Sequence, residues 1–465
     1  MVGLLFSNNG MKAFEDIMVI KDNYWYDPYT LTVSDGKIDE EQFLNIVSKI
    51  EQNNSATIDL LMQSDPTCVS QRVNTVNEIN ICPTYNCNFR CTYCDASSVE
   101  GNALLLPIGD IQGFVFDAIK RWKMGKLINQ NKDRLKINFS GGGEPTYDWK
   151  KFIEIVLMIT CLCQNNKVDY SLGLTSNGSL TNEQLGFIAE HFDNVMISYD
   201  GIPSIQRKNR YSPHMVDTND CVVNSIKFLS SKNILVTVRT TIWQDNIHWL
   251  RPMADYIFTQ IDDRIIWSIR PAISAGRAIR YINSNKIGVA KENFFISYLD
   301  IVRYVNVHYP LATVSTPLFP NAINDFPCGE ISLFCDSPCL MPDGRIITCM
   351  ESYKVSTEIG FVKQGKTVYY DKFKDPLLDN CQKQMIKCKP CLAYNFCKGG
   401  CPIRNIISEL TDTSIRDWEC DMIKEYFKYI LISIANCKSV FGWYSEPVFI
   451  NDKLVEHIYK IQHKD

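Results

Sequence analysis

The amino-acid sequence predicts an α/β protein: a partial, TIM-like (β/α)6 barrel, with a small α+β unit before it and a cysteine-rich domain after it. Strand-like and helix-like segments alternate between about residues 76 and 310, which is the pattern of a parallel sheet. Polar or glycine-containing motifs follow the successive strands. Ten of the 19 cysteines crowd between positions 328 and 420, where helical periodicity weakens.

The barrel prediction depends on six strands. They are Glu78–Ile81, Lys136–Phe139, Asp169–Leu174, Val195–Ser198, Val236–Thr240 and Ile265–Ile269. Apolar-periodic helices lie between them, for example Trp149–Cys161 and Val222–Ser230. Six strand–helix units suit a partial barrel better than a closed barrel of eight.

The N-terminal unit, residues 1–75, is predicted from a strand–turn–strand pattern at residues 24–33. Asp39 can cap a helix that follows, with an apolar face at Phe43, Ile46, Val47 and Ile50. The barrel spans residues 76–310 and the cysteine-rich domain residues 311–436. A further helix is predicted at about 422–435, and residues 437–465 form a tail.

Composition narrows the possible partners and location. The net charge of -4 predicts no nucleic-acid partner, and the longest apolar runs, such as residues 429–435, are too short to cross a bilayer. The first residues lack a basic-then-apolar signal segment, so we expect a cytoplasmic protein with no membrane partner. In such a chain, 19 cysteines predict metal binding rather than disulfides.

Three cysteines share one short loop after the first barrel strand: Cys87, Cys91 and Cys94. They can ligate three irons of a cubane cluster and leave the fourth iron for another ligand, whereas electron-transfer clusters normally use four cysteines. A zinc site is the alternative, but structural zinc usually takes four ligands, often as two Cys-x2-Cys pairs. The spacing, with aromatic Tyr93 before the third cysteine, resembles the radical S-adenosylmethionine (radical SAM) family. The resemblance implies that the three cysteines hold a SAM-binding [4Fe-4S] cluster, with Tyr93 among the cofactor contacts.

The strand-end motifs suit a zwitterionic nucleoside such as SAM. Parallel barrels place active sites at the carboxyl ends of their strands. The candidates there are Gly142, Gly143, Glu144 and Pro145 after strand two, Ser176 and Asn177 after strand three, Ser198 and Asp200 after strand four, and Arg239 on strand five. In the radical SAM family the Gly-Gly-Glu-Pro segment contacts the SAM amino group, and later strands bind its ribose and carboxylate. That resemblance assigns the amino group to Gly142–Glu144, and makes Ser176, Asp200 and Arg239 candidates for the rest. A structural salt bridge is the alternative for Arg239.

The downstream cysteines form a second pattern. It reads Cys328, Gly344-x4-Cys349, Cys388-x2-Cys391-x5-Cys397-x3-Cys401 and Cys420. This spacing resembles the SPASM domain of some radical SAM enzymes, which implies two auxiliary [4Fe-4S] clusters and three in all. One would use Cys388, Cys391, Cys397 and Cys420; the other Cys328, Cys349, Cys401 and either Cys335, which we favour, or Cys339. Zinc ribbons are the alternative.

The combined resemblance implies an enzyme that modifies a peptide by radical chemistry. The leading hypothesis is a maturase of ribosomally made peptides that installs a thioether or carbon–carbon crosslink. An enzyme that oxidises one Cys or Ser to formylglycine, as in anaerobic sulfatase maturation, is the alternative. A non-catalytic iron–sulfur protein that carries electrons or binds peptide is a third hypothesis. The expected partners are a precursor peptide and a reductant such as ferredoxin or flavodoxin. Two roles stay open for residues 1–75: recognition of the leader of that peptide, or capping of the barrel.

Overall fold

The computed structural model describes residues 24–27, 32–35, 76–101, 106–127, 134–215, 217–232, 234–272, 291–316, 337–348 and 358–370, with positions 48, 52, 277, 350, 388, 391, 420, 423 and 424. The strands are β1 Tyr24–Asp27, β2 Thr32–Asp35, β3 Glu78–Ile81, β4 Leu135–Phe139, β5 Tyr170–Ser176, β6 Asn194–Ser198, β7 Leu235–Ile242, β8 Ile266–Pro271, β9 Thr313–Ser315, β10 Cys339–Leu340, β11 Arg345–Ile347, β12 Glu358–Lys363 and β13 Lys366–Tyr369. The helices are α1 Ile108–Leu127, α2 Trp149–Asn165, α3 Asn182–His191, α4 Pro203–Asn209, α5 Asn219–Ser230, α6 Leu250–Tyr256 and α7 Lys291–His308. A π turn, Ile257–Ile261, extends α6.

The parallel sheet confirms the predicted barrel architecture. Strands β3 to β9 lie in chain order, and each pairs in parallel with the next. All six predicted strands are present, with ends displaced by up to two residues. A seventh parallel strand, β9, was not predicted from the sequence.

The sheet continues beyond β3 into the cysteine-rich region. Strand β10 pairs in parallel with β3, placing Cys339 opposite Asn80, and β11 to β13 follow in antiparallel order. The predicted turn at residues 342–344 joins β10 to β11, and Gly344 adopts the positive φ of 86° that such a turn needs. The cysteine-rich region therefore begins as an extension of the parallel sheet.

The predictions at the two ends of the chain are described only in part. Strands β1 and β2 form an antiparallel hairpin, which confirms the predicted strand–turn–strand. Of the helix after Asp39, only Ser48 and Gln52 are described, and both are helical. Of the helix predicted at 422–435, residues 423 and 424 are helical and the rest lies outside the described residues.

The two faces of the parallel sheet differ in polarity. Outward side chains are apolar and buried against the helices, as in Ile137 on β4 and Val195 on β6. Inward side chains are mostly polar and line a cavity, as in Asn138, Asn194 and Ser198. TIM barrels normally fill this interior with branched apolar side chains. The polar lining therefore provides a binding chamber instead of a packed barrel core.

Helix ends are fixed by side-chain caps. Asp148 accepts a hydrogen bond from the backbone N–H of Lys151 at the start of α2. Thr181 and Gln184 form a reciprocal capping box at the start of α3. Among the described residues, no helix has the length and apolar character required to cross a membrane.

Candidate active site

The cysteine loop follows β3 and forms one wall of a cavity of about 690 Å³. Cys87, Cys91 and Cys94 all line this cavity, and no other cysteine does so among the described residues. The Cys87 Sγ accepts hydrogen bonds from the Phe89 N–H (3.4 Å) and the Asn177 side-chain amide (3.8 Å). Three thiols on one wall fit a cubane that leaves one iron to a ligand in the cavity.

Burial raises the pKa of the Cys87 thiol to about 11 and that of the Cys91 thiol to about 12. These two thiols are therefore protonated at neutral pH in the metal-free chain. Iron binding must therefore displace protons. Within the described part of the chain, no three His, Cys, Asp or Glu side chains converge on a single metal position. The thiolates of a cubane ligate different irons, so this fit does not require them to converge.

The glycine-rich loop after β4 packs tightly on the segment that leads into the cysteine loop. Gly141 has a φ of 145°, and a Cβ there would lie 2.3 Å from the Cys82 Sγ. A Cβ on Gly143 would lie 2.4 Å from the Asn86 carbonyl oxygen. The Glu144 N–H donates to that same oxygen at 2.7 Å. Glycine is therefore needed here for contact between the two loops, independently of any bound ligand.

The Glu144 carboxylate joins the loops after β4 and β5. It accepts hydrogen bonds from the Ser176 hydroxyl (2.9 Å), the Asn177 N–H (2.7 Å) and the Thr146 hydroxyl (2.7 Å). Its side chain is buried, which raises its pKa, while these donors favour the charged form. Glu144 lines the cavity, so its predicted contact with the SAM ammonium group remains a prediction, alongside this structural role.

The Tyr93 hydroxyl makes hydrogen bonds with two buried ionisable residues. Its hydroxyl donates to the Asp200 Oδ1 at 2.7 Å and accepts from the Arg210 Nη1 at 3.0 Å. Asp200 is 0% exposed and also accepts from the Asn209 side-chain amide. Asp200 itself does not line the cavity, and its predicted direct contact with SAM stays a prediction. In this structure Asp200 positions Tyr93, which does line the cavity.

The other predicted residues divide between the cavity wall and the core. The wall includes Gly142, Gly143, Ser176, Asn177, Ser198 and Arg239. Pro145 is buried next to the glycine-rich loop and does not line the cavity, and its predicted cofactor contact stays a prediction. Sequence reasoning missed Arg210, at the end of α4, and Arg277, after β8; neither stands in a motif that would have identified it.

The downstream cysteines are described only in part. Cys328, Cys335, Cys349, Cys397 and Cys401 lie outside the described residues. Cys388, Cys391 and Cys420 are partly buried, and the Cys391 N–H donates to the Cys388 carbonyl at 2.9 Å. Cys339 is fully buried in an apolar cluster with Cys82, and its Sγ lies 3.6 Å from the Met341 Sδ.

The sheet, the three-cysteine loop and its polar cavity define a radical SAM site, and comparison with known proteins agrees. Residues 81–257 match the model of the radical SAM superfamily, so the chain carries a radical SAM domain and is an enzyme. That domain implies a [4Fe-4S] cluster and SAM as cofactors.

Similar proteins include sulfatase-maturating enzymes. The chain is 25% identical over 366 residues to a cysteine-type anaerobic sulfatase-maturating enzyme of Clostridium novyi (strain NT), covering 74% of this chain and 92% of that one. Native anSMEcpe with bound AdoMet and the Cp18Cys peptide has a TM-score of 0.59 at 18% identity, covering 78% and 99% of the two chains. Streptococcus suis SuiB bound to S-adenosylmethionine has a TM-score of 0.50 at 14% identity, covering 83% and 95%. At these identities the two solved structures show a shared fold.

Proposed function

We propose that this enzyme removes a hydrogen atom from a peptide or protein substrate bound inside the barrel. One observation carries the proposal: a single cavity begins at the three-cysteine loop and continues along the polar inner face of the sheet. On β6 the lining residues are Asn194, Met196 and Ser198, which span about 13 Å of strand. The cavity therefore has room at the rim for a cofactor and space below it for a substrate group.

When bound, the cluster and SAM supply a 5′-deoxyadenosyl radical that abstracts the substrate hydrogen. The chain's own residues bind and orient the cofactor and the substrate. Ser198 and Arg239 project into the cavity from neighbouring strands and suit the ribose and carboxylate of SAM. Glu144 holds the rim loops together by accepting hydrogen bonds from Ser176 and Asn177.

The finer reaction that the comparisons favour is oxidation of one cysteine or serine in a peptide to formylglycine. The similarity to a cysteine-type sulfatase-maturating enzyme covers nearly all of that relative. The solved structure of anSMEcpe with the Cp18Cys peptide supports a peptidyl substrate. Carbon oxidation of this kind needs a proton acceptor. Among the described lining residues, the carboxylates are Glu78, Asp95 and Glu144.

A peptide crosslinking reaction, by thioether or carbon–carbon bond formation, is the second candidate. The shared fold with SuiB and the predicted leader-binding role of residues 1–75 support it. Both reactions release an electron from the substrate radical. The two auxiliary clusters predicted from the downstream cysteines would accept it. We favour Cys335 over Cys339 as a ligand because the Cys339 thiol is buried against Met341 and Met350.

The test is anaerobic reconstitution with iron and sulfide, followed by SAM, dithionite and the Cp18Cys peptide. Formation of 5′-deoxyadenosine is expected with SAM and dithionite alone, and its absence would refute radical SAM chemistry. Mass spectrometry then separates the candidates. Formylglycine formation replaces the cysteine sulfur with a carbonyl oxygen, whereas a crosslink removes two hydrogen atoms and keeps the sulfur. An unchanged Cp18Cys peptide would count against the sulfatase-type reaction, and peptides encoded beside this gene would then test crosslinking.

A further inference from the structure

Arg277 donates three separate hydrogen bonds to the cysteine loop. Its backbone N–H donates to the Cys94 carbonyl at 2.9 Å, its Nε to the Cys91 carbonyl at 2.8 Å, and its Nη1 to the Ser98 carbonyl at 2.9 Å. The residue lies in the connection after β8, far from the loop in sequence. It also lines the cavity, so it stands between the barrel rim and the cluster loop.

A second arginine holds the other end of the same loop. The Arg90 Nη1 donates to the carbonyls of Cys87 (2.6 Å) and Phe89 (3.0 Å). Glu100 pairs with Arg90 at 3.1 Å and fixes its guanidinium. Together, Arg277 and Arg90 therefore bind the backbone carbonyls of all three cluster cysteines.

These contacts fix the orientation of the loop's carbonyl dipoles as well as its backbone conformation. A carbonyl that accepts from a guanidinium points its negative end toward the positive charge of the arginine. The guanidinium is always charged and donates from a rigid fork, which a lysine ammonium cannot reproduce. Positive charge and hydrogen bonding near a cluster favour its reduced, more negative state and so raise its reduction potential.

We propose that Arg277 is a positioning residue for the radical SAM cluster. It fixes the cysteine loop in its ligating conformation, and it raises the cluster's reduction potential through its charge. Its two effects are separable by substitution. Arg277→Lys keeps the charge and the backbone contact to Cys94 but loses the fork that joins Cys91 to Ser98. Arg277→Met loses both the charge and the fork.

The experiment uses the full chain, reconstituted anaerobically, with Arg251→Met as the control. Arg251 is an exposed arginine paired with Asp300 at 2.6 Å, away from the cysteine loop. Electron paramagnetic resonance of the dithionite-reduced protein is recorded with and without SAM, because only the SAM-binding cluster changes its spectrum on SAM addition. A redox titration of that SAM-sensitive signal gives the midpoint potential, and iron analysis gives cluster occupancy.

Arg277→Met is expected to lower the midpoint potential of this signal and to weaken its SAM-induced spectral shift, with circular dichroism unchanged. Arg277→Lys is expected to retain the wild-type potential while its SAM-induced spectral shift weakens. Arg251→Met should match wild type in all three measurements. The proposal is overturned if Arg277→Met keeps the wild-type potential and SAM-induced shift. If Arg277→Met does not fold, the lysine variant decides, because a wild-type spectral shift in that variant overturns the positioning role.

Discussion

The Tyr93 hydroxyl donates a 2.7 Å hydrogen bond to the Asp200 Oδ1 across 107 positions of sequence. The bond connects the cysteine loop after β3 to the end of β6. The Arg210 guanidinium donates a hydrogen bond to the same hydroxyl. The Trp243 ring packs perpendicular to the Tyr93 ring, with the ring centroids 5.4 Å apart. The Tyr93 side chain, inside the cysteine motif, is therefore fixed on several sides before any cofactor binds.

Removing the Tyr93 hydroxyl should destabilise this arrangement. Tyr93→Phe leaves Asp200 and Arg210 buried and without their shared partner, which costs about 1–3 kcal/mol. Chemical unfolding of the metal-free protein measures that loss. Tyr147→Phe, at a tyrosine that is 40% exposed, is the control and should change stability little. Equal stability of the two variants would show that the Tyr93 hydroxyl contributes nothing to the fold.

Alanine substitution should have opposite effects at Gly143, in the glycine-rich loop, and at Gly186, on α3. At Gly143 the new methyl group would meet the Asn86 carbonyl oxygen at 2.4 Å, and backbone cannot move aside cheaply. We expect Gly143→Ala to displace the loop and weaken SAM binding at least tenfold, or about 1.4 kcal/mol. Gly186 on α3 has open space around it, so Gly186→Ala should stabilise the helix by up to about 1 kcal/mol. Equilibrium dialysis with SAM and thermal unfolding measure the two effects. Unchanged SAM affinity in Gly143→Ala would contradict the loop contact.

The sequence was sufficient to predict strands β3 to β8 and the cysteine loop, because both are local patterns. Strands β3 to β8 were recognisable from their apolar outward residues, and Cys87, Cys91 and Cys94 from their spacing. The roles of Asp200 and Arg277 could not be predicted, since each depends on a partner more than 100 residues away in the chain. Strand β9 has three residues, too few for a reliable pattern.

Two cysteines on α2 should differ in reactivity despite their proximity in sequence. Cys163 is 0% exposed, and burial raises its pKa to about 12, so very little thiolate is available. Cys161 is exposed on the opposite side of the helix. Iodoacetamide at about pH 8 should label Cys161 and leave Cys163 unmodified in the folded protein. Peptide mass spectrometry checks this result, and unfolding in guanidinium should make both cysteines react. Rapid labelling of Cys163 in the native state would contradict its position in the core.

Asp262, in the turn between the π turn and β8, should make a pH-dependent contribution to the stability of the fold. Asp262 accepts hydrogen bonds from the side chain and backbone of Arg264, which lower its pKa from 3.8 to about 2. A lowered carboxyl pKa stabilises the fold above about pH 4, and this contribution is lost as the pH falls toward 2. Arg264 is 64% exposed, so solvent screening reduces the effect to about 1 kcal/mol.

Asp262→Asn should therefore cost about 1 kcal/mol at pH 7, and its deficit should shrink below about pH 4. Urea unfolding of the metal-free protein at several pH values measures this dependence. The control is Asp300→Asn, whose pair with Arg251 is about half exposed on both sides and should contribute little at any pH. A deficit that stays constant down to pH 2 would show that the Asp262 charge is not its source.

Iron content separates the radical SAM cluster from the two auxiliary clusters proposed downstream. Three cubanes require about twelve irons per chain. Replacing Cys87, Cys91 and Cys94 together with alanine should leave about eight irons and abolish 5′-deoxyadenosine formation. Replacing Cys388 and Cys391 should also remove about four irons, but SAM cleavage should persist because those cysteines do not line the cavity. Replacing Cys161, an exposed thiol outside every predicted ligand set, is the control and should remove none. A wild-type value near four irons would contradict both auxiliary clusters and leave the radical site as the sole iron centre.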